Sequence, residues 1–104
     1  MNIFTLPEIL GAEEIFDEIL SRSNVRIERI ISCGQSSPPG FWYDQEWHEW
    51  VVLLQGRAGV EWKDGTLHAL AAGDCLFIPA HQVHRVTFTS TEPPCIWLAV
   101  HMAP

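Results

Sequence analysis

Between residues 12 and 20 the apolar side chains come in pairs four positions apart, Ile15 with Phe16 and Ile19 with Leu20, and Glu13, Glu14, Asp17 and Glu18 fill the spaces. That spacing fits one face of a short amphipathic helix. Acids near its start suit the positive end of a helix dipole, so the cluster reads as a solvated face. After Asn24 the pattern changes to short runs rich in Val, Ile, Phe, Thr and Trp, broken at close intervals by Gly, Pro and Asp-Gly. Such runs predict strands over 25–32, 47–55, 59–62, 66–69, 75–78, 84–89 and 95–101. Asp64-Gly65 has the chemistry of a tight hairpin turn, Gly73-Asp74 opens another, and 33–40, with Gly34, Pro38, Pro39 and Gly40, is a longer irregular loop.

The expectation is an all-β chain: a helical segment over 1–23, then an antiparallel barrel or sandwich of seven strands over 24–104. Such folds hide their sheet edges by closure or by pairing with a second copy, so a homodimer is expected. The chain's 104 residues suffice for one domain. Five Trp and five Phe are many for this length and point to an aromatic core or pocket. With 6 Lys and Arg against 13 Asp and Glu, the net charge of −7 repels phosphate backbones and anionic membranes. Nucleic acid and membrane are therefore not expected as partners. No apolar run is long enough for a membrane helix, and MNIFTLPEILGAEEIF carries acids where a secretory leader needs a basic start, so the expected compartment is the cytoplasm. Cys33, Cys75 and Cys95 are widely spaced and read as small hydrophobes rather than a zinc or redox pair. Neither a phosphate-cradling Gly loop nor a Ser-His-Asp order is present.

The run Gly73-Asp74-Cys75-Leu76-Phe77-Ile78-Pro79-Ala80-His81-Gln82-Val83-His84 resembles the second cupin motif, GD-x4-P-x4-H. The family usually has Gly where His81 stands and Asn where Phe88 stands. Its first motif reads H-x-H, three or four residues, Glu, six residues, Gly. Glu49 and Gly56 match the second half, and a four-residue gap puts Asp44 and Trp42 at the histidine places. FWYDQEWHEWVVLLQG together with IPAHQVHRV is similar to a group of small bacterial cupins. The resemblance implies a cupin-type antiparallel β-barrel, a double-stranded β-helix or jelly roll, with a metal at its mouth.

Strand alternation puts His84, Val86 and Phe88 on one face, and Glu49 with Val51 and Leu53. A carboxylate on an apolar stripe is costly without a cation or hydrogen-bond partner. The ligand set implied is His84, Glu49 and Asp44 around one divalent ion, Fe, Mn, Ni or Zn. His48 joins only if a bulge turns it to the face of its neighbour Glu49. The alternative is a barrel that has lost its metal. A pocket for a small organic molecule would use Arg29, Trp42, Tyr43, Trp50, His81, Phe88, Trp97 and His101. Arg29 could clamp a carboxylate or pair with an acid, and the aromatics could shape a cup or fill an interface. The functional expectation is a metal-binding barrel acting on or binding a small organic molecule, of oxygenase or isomerase type. The alternative is a non-catalytic ligand-binding or dimerisation barrel.

Overall fold

A computed structural model describes all of residues 1–104 and contains eight strands: β1 (Ile15–Ser21), β2 (Val25–Ser32), β3 (His48–Gln55), β4 (Arg57–Trp62), β5 (Leu67–Ala71), β6 (Cys75–Ile78), β7 (His84–Thr89) and β8 (Cys95–Met102). They form two antiparallel sheets, one ordered β1-β2-β8-β3-β6 and the other β5-β4-β7. The inner faces meet around Val51, Leu53, Ala58, Val60, Leu70, Ile78, Cys95, Trp97 and Ala99. Asp64-Gly65 turns the β4–β5 hairpin, with Gly65 at φ 96°, a left-handed conformation that Gly adopts without penalty.

No helix is present, and the expected N-terminal one is corrected to an edge strand. Ile15, Phe16, Asp17 and Glu18 pair with Ile31, Ile30, Arg29 and Glu28, and after a register shift Leu20 pairs with Ile27. Ile19 is the extra residue of that bulge. It moves the apolar alternation over by one, so a strand acquires the paired four-residue spacing of a helix.

The same pairing explains Asp17. Its carboxylate faces Arg29, whose Nε and Nη2 donate to Oδ2 at 2.9 and 2.6 Å, while Nη1 donates to the carbonyls of Ile3 and Thr5 at 3.2 and 2.8 Å. Arg29 is only 7% exposed. Its fork of donors thus ties the N-terminal arm and β1 onto the outer face of β2.

A second bulge lies between β4 and β7, where Gly59 pairs with Phe88 but Val60 pairs with Val86, leaving Thr87 unmatched. Beyond it the faces exchange: Phe88 turns outward, 48% exposed, and Thr89 turns in and is buried. Simple alternation along β7 would have put Phe88 inside. Gly59 makes room for the bulge, since an added Cβ would collide with Oγ1 of Thr87 and the ring of Phe88. Gly59→Ala is therefore expected to destabilise the fold by about 1 to 3 kcal/mol, the usual cost of overpacking. In urea unfolding, a Gly59→Ala/Thr87→Ala double variant should recover part of that loss. Equal stability of Gly59→Ala and the parent would remove this role for Gly59.

Candidate functional site

Register carries the polar groups to one place. On the inner face of the larger sheet, Glu49 of β3 stands directly opposite His101 of β8. Glu28 of β2 pairs with Ala99, so it lies diagonally next to His101 on the same face. Glu28, His101 and Glu49 thus make a row across three central strands. His84, first residue of β7 in the smaller sheet, lines the same cavity of about 110 Å³, as do Glu14, Phe16, Tyr43, Gln45 and Trp97.

The mouth is held by backbone. Tyr43 and His84 exchange two backbone hydrogen bonds, at 2.7 and 3.1 Å, and the His81 amide donates to the Gln45 carbonyl at 2.7 Å. The Ala80 amide donates to Nδ1 of His48 at 2.8 Å. The segment from Tyr43 to His48 is thereby zipped to the turn that precedes β7. The Tyr43 ring lies nearly parallel to His84, with centroids 5.4 Å apart and planes 23° apart.

Hydrogen bonds set the proton on His84. Its Nδ1 is 2.7 Å from the Gln82 carbonyl, which can only accept, so Nδ1 carries the hydrogen and Nε2 is left as a free acceptor. Nε2 of His101 is 3.0 Å from Oε1 of Glu28. That hydrogen bond holds the Glu28 carboxyl below its ordinary value, against the opposing effect of its partial burial. Trp97 Nε1 donates to Oγ of Ser32 at 3.1 Å, and Ser32 donates onward to Glu14.

Glu49 differs from these. It is 8% exposed, and none of the side-chain hydrogen bonds around the cavity ends on it. Burial pushes its carboxyl up; His101 and His84 pull it down, Glu28 pushes it up again, and the adjacent Gln45 amide lowers it slightly. Burial dominates. Oε1 of Gln45 is itself buried without a hydrogen-bond partner.

The other residues singled out in the sequence fall as follows. Trp97 and His101 line the cavity with Glu49 and His84. Asp44 faces solvent, its Oδ1 accepting from Nδ1 of His81 at 2.8 Å in an exposed pair on the rim. His81 occupies a φ of 64°, a conformation for which the Gly usual at this place in the family is better suited. His48 lies on a regular stretch of β3, opposite Met102, and its ring packs against Phe77 on the face away from Glu49. Trp50 shares that outer face, and Trp42 lies under Lys63, 4.4 Å from its ring centroid. Arg29 is bound on the far side of β2, and Phe88 is outside for the reason given above.

Sequence reasoning missed Glu14, Glu28 and Gln45. A three-residue gap in the first motif, equally permitted by its pattern, places Tyr43 and Gln45 at the two histidine positions, and these are the side chains that line the cavity. Glu28 was hidden because β2 carries apolar residues on both faces, so Val25, Ile27 and Ile31 point to the wrong side.

The residues present do not fit a metal of the kind the resemblance implies. No three His, Cys, Asp or Glu side chains converge closely enough to share an ion. One imidazole and one carboxylate remain where at least three protein ligands are usual. Tyr43, stacked flat, covers the face of His84 rather than aiming a donor between the two.

Fold and site together define a small two-sheet β-barrel with an enclosed carboxylate–imidazole cavity. The chain belongs to the cupin family, matching the Cupin domain over residues 30–101. A search of the curated proteins finds no match. Among solved structures it is similar to a candidate mannose-6-phosphate isomerase from Ralstonia eutropha JMP134, with 44% identity and a TM-score of 0.94 over 100% of this chain and 97% of that one. A cupin superfamily protein from Desulfitobacterium hafniense DCB-2 has 18% identity and a TM-score of 0.78, covering 94% of this chain and 84% of that one. The polyketide cyclase RemF from Streptomyces resistomycificus has 20% identity and a TM-score of 0.73, covering 89% and 67%. At such identities the last two share the fold alone.

Two outcomes follow. Protein purified without chelators should carry far less than one Fe, Mn, Ni or Zn per chain by elemental analysis; one ion per chain, lost in His84→Ala, would overturn the donor-set argument. The raised carboxyl of Glu49 also sets a pH dependence. A group with a folded-state pKa above its unfolded value contributes its stability at low pH and loses it as pH rises through the folded value. Glu49→Gln is therefore expected to be more stable than the parent at pH 8, by about 1 kcal/mol, the scale of an unsatisfied buried polar group. The gain should vanish near pH 4. Thermal melts at both pH values measure it, and a gain independent of pH would refute the assignment.

Proposed function

We propose that this cupin is a metal-independent acid–base barrel of isomerase type, moving a proton within a small organic molecule held between Glu49 and His84. The observation that carries this reading is Glu49, buried, free of any hydrogen-bond partner and in one cavity with the unused Nε2 of His84. A carboxyl pushed up by burial holds its proton at higher pH, as a general acid requires. A neutral imidazole with a free nitrogen lone pair is suited to act as base.

In a hydroxy-carbonyl compound, His84 Nε2 takes the proton from the carbon beside the carbonyl. The C–H bond breaks, its electron pair forms the enol double bond, and the carbonyl oxygen takes the Glu49 proton. Return of a proton to the neighbouring carbon moves the carbonyl by one position. No external oxidant or reductant enters. Tyr43, Val51, Val60, Ile78 and Trp97 surround the two groups with apolar surface, which strengthens electrostatic effects by excluding water. The isomerase named among the similar structures, at 44% identity, supports the reaction class.

Glycolaldehyde, glyceraldehyde, dihydroxyacetone and mannose, incubated in D2O with the full chain, provide the test by proton NMR. Exchange of the α-hydrogen is expected for at least one of them, undiminished by EDTA. Both Glu49→Gln and His84→Ala should slow it by about 10²- to 10⁴-fold, the usual contribution of a positioned acid or base. Binding of these compounds with no exchange above the buffer rate would make the chain a ligand-binding module and overturn the proposal.

A further inference from the structure

The charge of the cavity constrains its ligand, given the acid–base reading above. A bay of about 270 Å³ adjoins the inner cavity, and Glu14, Tyr43 and Val86 line both, so Glu14 stands at the neck between them. The bay is otherwise walled by the loop from Gln35 to Phe41. Glu14, Glu28 and Glu49 line the inner cavity, and no Lys or Arg lines either space.

Each nearby cation is committed or outside. Arg29 is bound to Asp17 and to the N-terminal arm on the far side of β2. Arg85 donates to the Ser37 carbonyl and faces Glu61, and Lys63 sits over Trp42. Arg26 shares the face of Glu28 but is exposed and outside the lining. The two histidines have also been placed: His101 is turned to Glu28, and His84 presents a lone pair. A phosphate ester entering here would meet carboxylates with no basic side chain to receive it.

We infer that the ligand of this cavity is a small amino-bearing polar molecule, entering as its ammonium ion, with the positive group received by Glu14 at the neck. Two observations besides the acids point to a ligand of that kind. Glu49 is unpartnered, more than nine-tenths buried and directed into the cavity. Phe16, Tyr43 and Trp97 border it and offer aromatic faces to a cation. The inner volume of about 110 Å³ admits a group no larger than a benzene ring, for which a cavity of about 150 Å³ suffices. The phosphate in the name of the 44% identical protein is thus not carried over to this chain.

Three probes share a three-carbon skeleton and differ in charge: 3-amino-1,2-propanediol, glycerol and glycerol 3-phosphate. Isothermal titration into the full chain at pH 7 and low salt is expected to show the amine binding about tenfold or more tighter than glycerol, as one ion contact of 1.4 kcal/mol requires. Glycerol 3-phosphate should show no saturable binding. Added salt should weaken the amine alone, and Glu14→Gln, which keeps an acceptor for Ser32, should remove most of its advantage. Phosphate binding as tight as the amine, or an amine advantage unchanged in Glu14→Gln, would overturn the inference. If that variant does not fold, the order of the three probes on the parent decides. An amine preference without α-hydrogen exchange in any compound sinks the acid–base reading alone, and exchange without the preference sinks this inference alone.

Discussion

The constraint on which the site depends is the register that lays Glu49, His101 and Glu28 side by side across three central strands. Central strands have their backbone groups fully paired, so these side chains have no easy retreat to water. Buried charge is tolerated when it is matched by an opposite or protonated partner. His101 and Glu28 satisfy each other across the β2–β8 seam. One acid in the row is then left over. Glu49 resolves its cost by holding a proton more tightly, which ties its state to the solvent and to any molecule that enters.

Bulges decide which residues join that row. Pairing by alternate residues correctly puts Glu49, His84, Trp97 and His101 on inner faces, because β3 near its start, β7 at its first residue and β8 throughout are regular. It fails beyond Thr87, where the unmatched residue exchanges the faces of Phe88 and Thr89. It fails also at Ile19, where an extra residue gives a strand the apolar spacing of a helix. A one-residue insertion changes every later orientation in a strand, yet leaves composition and local propensity almost untouched. The bounds of β2, β6 and β7 were legible because turn residues flank them, whereas the first strand and the start of β4 were not.

The face of a strand is legible only where one side is polar. In β2, Ile27 and Ile31 lie on the side of Arg29, while Glu28 and Ile30 lie on the cavity side. Both faces are covered, one by the facing sheet and the other by the N-terminal arm that Arg29 holds. A strand buried on both sides has no amphipathic signal. The choice of Arg29 over Glu28 as a pocket residue follows from that symmetry, and it reverses the sign of the charge expected in the pocket.

That reversal bears on how a metal-binding architecture can serve other chemistry. A resident divalent ion would neutralise carboxylates and present a positive centre to anionic oxygens. With Tyr43 and Gln45 in the two histidine positions, the field of the cavity comes from its acids and from the dipoles of His84 and Gln45. The same barrel then favours positive or neutral guests in place of anions. It also leaves proton transfer, rather than charge stabilisation by an ion, as the chemistry its own side chains can perform. Fold and family fix where the cavity lies, whereas two side chains in the first motif and one unpaired acid decide what that cavity accepts.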